Sequence, residues 1–395
     1  MMPRTRTGAE IVAAQPERLS GARIGLLTNF TGTMPDLSRS VDALARAGVP
    51  LVHLFGPEHG LSGAVQAGES TDDDHDPGTG LPLSDTYLAD DDRLDEIVAS
   101  SGVDALVFDM QDIGVRFYTY VWTMYDAMRT AARLGIRFTV LDRPNPLGGA
   151  VVSGPGITDP AYASFVGRVD VPQRHGLTAG ELARLFLARD LAAEGLELDL
   201  DVVSMEGWDP ARDFAATGLP WVPPSPNMPT LDTAFAFAGT GLFEGTTLSE
   251  GRGTTLPFQL LGAPFLDERF AAAARGRDLP GVLVRDAWFQ PTFHKYAGET
   301  VRGVQLHLVD RYAFDPVATA VALLEIAHET APEQTSSLGA GERIDPGDSG
   351  FALDRLWGSP ELRRALDGSA SFDALDLRTR PTVDHYAEDV LIYER

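Results

Sequence analysis

Short apolar segments alternate with amphipathic ones through the first 150 residues, and every apolar segment ends in polar side chains. Ile24 to Thr28, Leu51 to Phe55, Ala105 to Phe108 and Phe138 to Leu141 are strand-length runs. Between them lie segments with helical spacing. Leu37, Val41, Leu44 and Ala45 follow a capping Asp36, and Gly48 ends them. Asp92 to Ser100 carries Leu94, Ile97 and Val98 on one side, and Tyr120 to Leu134 places Val121, Met124, Tyr125, Met128 and Ala132 on one face before Gly135. Such alternation predicts a parallel sheet with right-handed crossovers. The expected fold is therefore α/β, a Rossmann-like parallel sheet flanked by helices. In such a sheet the strand ends share one edge, where α/β folds keep their ligand sites. Those ends carry Asn29; then Glu58 and His59; then Asp109, Gln111, Asp112, Arg116, Tyr118 and Tyr120; then Asp142, Arg143 and Asn145.

Beyond residue 150 the pattern continues with a helix over Thr178 to Leu187, opened by a capping box Thr178-Ala-Gly-Glu181, and a strand over Leu198 to Val203. The run Trp221-Val-Pro-Pro-Ser-Pro-Asn-Met-Pro229 forbids helix and central strand and suits a rigid pocket rim. From about Ala263 the character changes: Val282 to Val284 and Val304 to Val309 read as strands, Pro316 to His328 and Pro360 to Leu366 as helices, and Thr335 to Ser349 as a long polar loop. Two units are expected, residues 1–262 and a smaller α+β unit over 263–395.

Composition narrows the function. With 57 acidic against 32 basic residues the net charge is −25, a surface that repels nucleic acid and anionic membranes. Cysteine is absent, which removes disulfides, thiolate metal sites and cysteine nucleophiles. No segment has the ~20 apolar residues needed to span a bilayer, and Met1 to Ala14 has no apolar core of a signal peptide, so a cytoplasmic location is expected. The first strand is not followed by G-x-G-x-x-G, and neither a G-x-S-x-G elbow nor a P-loop occurs. No cofactor is expected. A metal would need partners such as Asp112 and His175, which lack a ligand-type spacing, so none is expected. The single lysine, Lys295, reads as compositional bias toward arginine.

Seven ordered motifs carry a family resemblance. They are Gly25-Leu-Leu-Thr-Asn29, Phe55-Gly-Pro-Glu-His-Gly60, Gln66-Ala-Gly-Glu69, Phe108-Asp-Met-Gln-Asp-Ile-Gly-Val-Arg-Phe-Tyr-Thr-Tyr120, Leu141-Asp-Arg-Pro-Asn-Pro-Leu-Gly-Gly149, Pro224-Ser-Pro-Asn-Met-Pro229 and Leu242-Phe-Glu-Gly-Thr-Thr-Leu-Ser-Glu-Gly-Arg-Gly-Thr254. Together they resemble the exo-β-N-acetylmuramidases of the NamZ type, from about Gly21 to Tyr393. The resemblance implies a glycoside hydrolase that removes N-acetylmuramic acid from the non-reducing end of peptidoglycan fragments, with its site in a cleft between two units. It also implies that Glu58 is the catalytic glutamate.

Glycoside hydrolysis commonly uses two carboxyl groups, one to protonate the leaving oxygen and one to act at the anomeric carbon or on water. Glu58 is the expected acid. Glu69, Asp109, Asp112, Glu244 and Glu250 compete for the second role, with Glu69 favoured because it lies in the same loop. In a substrate-assisted route Asp109 or Asp112 would instead orient the substrate's acetamido group. His59 would orient Glu58 or bind a hydroxyl. Muramic acid carries a lactyl carboxylate, which an arginine fork matches at two points. Arg116, Arg143 and Arg252 are the candidates, against the commoner fate of pairing with a neighbouring acid. Tyr118, Tyr120 and Trp221 are candidates to stack on the sugar, and Ser225, Asn227 and Thr254 to bind its hydroxyls or acetamide. Two rival readings are a sugar-binding protein without catalysis and a metal-dependent amino-sugar deacetylase.

Overall fold

The computed structural model describes residues 4–64, 66, 74–342 and 349–395. Strands β1 (Ile24–Thr28), β2 (Leu51–Gly56), β3 (Leu83–Asp85), β4 (Ala105–Asp109), β5 (Arg137–Leu141) and β7 (Leu200–Val203) form one sheet in the order β3-β2-β1-β4-β5-β7. Every pairing in it is parallel. A two-residue strand β6 (Val151–Val152) pairs outside the sheet with β11 (Arg380–Pro381).

Both faces of the sheet are covered, which is why its strands read as unbroken apolar runs. Side chains alternate: Leu26, Leu54, Ala105 and Val107 meet α1 (Gly8–Ala14) and α2 (Ser40–Arg46) on one face. Leu27, Phe55, Leu106 and Phe108 meet α3 (Asp91–Ser101), α4 (Tyr120–Leu134) and α5 (Ala179–Leu185) on the other. Gly135 ends α4 with φ 66°, and the Thr178–Glu181 capping box opens α5. The start of α2 differs from expectation. Asp36 does not cap it; its Oδ1 accepts from the Ser38 backbone N–H at 3.0 Å and hydroxyl at 2.6 Å. This local turn leaves Leu37 outside the helix, exposed and at φ 66°.

The chain order reverses between β1 and β4, so the crevice of the sheet lies above Thr28 and Asp109, which pair in register. The second unit has an antiparallel sheet of β8 (Leu260–Ala263), β9 (Val282–Phe289) and β10 (Val301–Leu308), in the order β8-β10-β9. Strand β8 straddles the expected boundary at 262/263. Around this sheet pack α6 (Leu231–Thr240), α7 (Glu268–Gly276), α8 (Pro316–Thr330), α9 (Ala352–Trp357) and α10 (Glu361–Leu366). Nine of the ten residues of α6 are buried, all but Asp232, so its sequence shows no clear helical stripe. A β-carbon at its Gly239 would lie 1.8 Å from the Pro316 carbonyl, so glycine permits the close approach of α6 and α8.

Candidate active site

Strand β2 ends in a tight turn. The Gly60 N–H donates to the Pro57 carbonyl at 2.9 Å, and His59 takes the left-handed conformation at φ 71°. Few non-glycine residues adopt it, and where they do the surroundings impose it. The turn holds Glu58 only 9% exposed, with its Oε2 accepting from the Thr119 hydroxyl at 2.6 Å. Thr119 sits at the N-cap of α4 but makes no side-chain cap bond, so its hydroxyl serves Glu58 instead. The N-terminal end of a helix favours a negative charge placed there.

Tyr118 and Tyr120 lie beneath. Both hydroxyls donate to the Pro224 carbonyl at 2.7 Å, and the rings meet edge to face at 4.9 Å. Burial first, then neighbours that include the Glu58 and Asp112 carboxylates, push both phenols above their ordinary range. They stay protonated donors and pin the proline-rich segment to the start of α4. Tyr120 is fully buried and Tyr118 nearly so, and both anchor the proline-rich segment through their hydroxyls. Trp221 is half-buried on the rim, edge-on to Phe214 at 5.3 Å. Asn227 reaches from the same segment to Gln66, Nδ2 to Oε1 at 3.2 Å, and its backbone N–H meets the Ser225 hydroxyl at 3.4 Å.

The crevice between β1 and β4 is closed by its own side chains. Asn29 Oδ1 accepts from the Thr31 backbone N–H and hydroxyl at 2.9 and 2.6 Å, and the Thr31 hydroxyl accepts from the Gln111 N–H at 2.9 Å. The Gln111 amide donates to the Asp112 and Pro144 carbonyls, each at 2.7 Å. Arg143 pairs two-pronged with Asp109, at 2.7 and 3.1 Å, and donates to the Thr33 carbonyl. Asp109 is fully buried, so neither partner is free: Asp109 is not an accessible acid and Arg143 is not a receiver for a substrate carboxylate. Asn145 is also structural. Its Nδ2 donates to the Leu177 carbonyl and its Oδ1 accepts the Leu147 N–H, both at 2.9 Å. Arg116, fully buried, donates to the Leu356 carbonyl at 2.7 Å and the Arg355 carbonyl at 3.4 Å, bracing the last turn of α9. Two of its nitrogens are thus engaged by backbone carbonyls, while its Nε is buried without a partner.

Asp112 differs from Asp109. Its Oδ2 accepts the Gly114 N–H at 2.7 Å and lies 3.3 Å from His175 Nε2. His175 Nδ1 accepts the Leu177 N–H at 3.2 Å, which leaves the proton on Nε2, and that nitrogen makes no hydrogen bond. Asp112 Oδ1 is buried with no hydrogen-bond partner. Among the described residues no three His, Cys, Asp or Glu side chains come together as a metal site.

The second unit brings three charged residues of the 244–252 segment. Arg252 Nε donates to Glu244 Oε1 at 2.6 Å and lies 3.8 Å from Glu250, while its guanidinium covers Phe258 at 5.0 Å. Burial opposes its charge, but the Glu244, Glu250 and Glu58 carboxylates together strengthen it. Arg252 Nη1 is buried without a partner. Glu250 is fully buried; against the upward push of burial, Lys295, His294 and Arg252 hold it ionised, well below the usual carboxylate range. It is a structural anion and not a second acid. Thr254 closes its own turn, Oγ1 to the Gly251 carbonyl at 2.6 Å. Glu69 lies outside the described residues. Thr119 and His294 carried no signal in the sequence; His175 stood there only as a possible metal partner of Asp112, and Lys295 as compositional bias.

A buried donor and a buried acceptor without partners call for a reason, and a ligand that supplies the missing groups is one. Asp112 Oδ1 is such an acceptor and Arg252 Nη1 such a donor. No described helix is long and apolar enough to cross a membrane.

Known proteins carry the same two-part chain. The model of the "Exo-beta-N-acetylmuramidase NamZ, N-terminal" domain matches residues 24–232, and that of the C-terminal domain matches residues 235–393. The peptidoglycan β-N-acetylmuramidase NamZ of Bacillus subtilis (strain 168) is 40% identical over 389 residues, covering 98% of this chain and 90% of the relative. A DUF1343 family protein of Bacteroides fragilis, solved by crystallography, superposes with a TM-score of 0.81 at 34% identity over 94% of this chain and 93% of its own. A second from the same organism gives 0.71 at 27% identity with the same coverage. With both family models matched in order over nearly its whole length, the chain belongs to the NamZ exo-β-N-acetylmuramidase family.

Proposed function

We propose that this chain is a glycosidase that removes N-acetylmuramic acid from the non-reducing end of peptidoglycan fragments, as part of cell-wall recycling. The observation that supports the reading is Glu58, buried at the end of β2 with its Oε2 accepting from the Thr119 hydroxyl at 2.6 Å, together with two buried polar atoms that have no partner, Asp112 Oδ1 and Arg252 Nη1. Glu58 is the general acid. Its protonated carboxyl gives its proton to the glycosidic oxygen as the bond from that oxygen to the anomeric carbon breaks.

Asp112 is the second carboxyl. Its unpartnered Oδ1 accepts the acetamido N–H, and this turns the acetamido carbonyl oxygen toward the anomeric carbon. That oxygen closes a ring on the carbon as the leaving sugar departs. Water then opens the ring at the same carbon and gives its proton to the Glu58 carboxylate, so the acid is restored and the β configuration is kept. The Gly114 N–H holds the other oxygen of Asp112. Arg252 receives the lactyl carboxylate on Nη1, which distinguishes muramic acid from glucosamine. Trp221, Ser225 and Asn227 form the rim.

The test is release of a chromophore from an aryl β-N-acetylmuramide. Rapid release is expected, with little from the matching N-acetylglucosaminide. Absence of release from the muramide refutes the activity, and equal rates on both refute the role of Arg252.

A further inference from the structure

Lys295 is the only lysine among 32 basic residues, and it is buried. Its Nζ donates to the Phe243 carbonyl at 2.7 Å, the Leu248 carbonyl at 2.8 Å and Glu250 Oε2 at 2.9 Å. Three acceptors thus converge on one nitrogen. An ammonium directs three N–H bonds outward from a single atom, whereas a guanidinium spreads its donors over a flat fork. The position calls for lysine in a chain that otherwise uses arginine.

The flanking residues are constrained in the same way. His294 and Tyr296 are both left-handed, at φ 70° and 57°. His294 Nδ1 lies 3.0 Å from Glu250 Oε1, the Tyr296 hydroxyl donates to the Thr247 carbonyl at 2.5 Å, and Thr292 donates twice to the Gly253 carbonyl. Non-glycine residues hold such backbone angles only where their surroundings impose them, and such places cluster at functional sites. The segment 292–296 therefore clamps 243–253 along its length. The clamped stretch is the one that carries Glu244, Glu250 and Arg252.

We infer that Lys295 is a positioning residue for substrate specificity: it fixes Glu250 and the loop around it, and so sets the Arg252 guanidinium where the substrate's carboxylate arrives. The inference rests on the assignment of Arg252 given above. Glu244 and Glu250 bracket Arg252, and Phe258 supports its face, so a shift in the bracket moves Nη1. Lys295 itself touches no substrate atom in this reading.

The experiment compares binding of N-acetylmuramic acid with binding of the same sugar whose lactyl carboxyl is converted to the neutral amide. Calorimetry on the full chain is done for the native protein, R252Q, K295M and K295R, with muramide kinetics alongside. The native protein should prefer the acid by roughly tenfold or more, the scale of one charge-assisted bond in a desolvated site. R252Q should lose that preference. K295M and K295R should lose most of it too, with KM for the muramide rising more than kcat falls and the affinity for the amide unchanged. Folded Lys295 variants that keep the native preference, or that weaken acid and amide equally, overturn the inference and leave Lys295 a purely structural tie. Should R252Q keep the preference, the assignment of Arg252 fails instead. If K295M does not fold, K295R, which keeps a cation beside Glu250, decides alone.

Discussion

Replacing Glu58 by glutamine removes a proton and little else. The glutamine oxygen can still accept from the Thr119 hydroxyl, now 2.6 Å from Glu58 Oε2, and the side chain keeps its shape in a site that is 9% exposed. Stability should therefore change by less than about 1 kcal/mol. Catalysis should not be spared. General acid catalysis contributes about 10²–10⁴-fold, which is about 3–5 kcal/mol of barrier at 1.36 kcal/mol per decade. The loss should depend on the leaving group. A disaccharide leaves as a poor alkoxide and needs the proton, so E58Q should fall by the full factor. A dinitrophenyl muramide leaves unaided, so there the loss in kcat/KM, which reports the bond-breaking step, should shrink to under about tenfold, while its kcat falls because the water step lacks its base. The assay is kcat/KM on both substrates, with a thermal melt to show that the variant is folded. Equal losses of kcat/KM on the two substrates would mean that Glu58 does not donate the proton to the leaving oxygen, and a fully active E58Q would remove it from the mechanism.

Three other outcomes follow from the geometry. D112N keeps the Gly114 contact but loses the acceptor for the acetamido N–H, so kcat should fall on the order of a hundredfold with KM little changed; native kcat would refute its role. R116M strands the Leu356 and Arg355 carbonyls at the end of α9 and should cost about 2–4 kcal/mol in denaturant unfolding, with KM unchanged in the folded fraction; a stable variant with weakened substrate binding would place Arg116 in the site. Asp142 concerns stability and pH: burial pushes its carboxyl up to about 6, against bonds from Tyr393, Gly180 and Thr178. Between about pH 4 and 6 the unfolded chain gives up a proton that the folded chain retains. The contribution of this group is thus fully present below about pH 4 and is lost as pH rises through 6, roughly 3 kcal/mol in all. D142N should flatten that part of the stability profile, and an unchanged slope would show that another group sets it.

Much of the scaffold was legible in the residues. The apolar runs of β1, β2, β4 and β5 and the striped face of α4 report their surroundings directly, because strands buried on both faces and helices buried on one leave different periods. Helix α6 left no clear period because all its residues but Asp232 are buried, and three-residue β3 was too short to read. Asp36 looked like a cap because capping and a local turn use the same carboxylate.

The site divides along the same line. Order along the chain determined which polar side chains stand at the strand ends, since a parallel sheet brings them to one edge whatever their identity. It also put Glu58 in a turn between glycines. What the residues could not disclose is which of those groups are already satisfied. Arg116, Arg143 and Arg252 are the same residue type in similar acidic neighbourhoods. Only packing shows that the first meets backbone carbonyls, the second Asp109 and the third Glu244, with an unmet donor left on the first and on the third. Asp109 and Asp112 are three residues apart, yet one is sealed by an arginine and the other keeps an oxygen unmet. Periodicity is a property of neighbours in sequence, whereas hydrogen-bond satisfaction depends on partners 34 to 240 residues away, which only the tertiary fold selects.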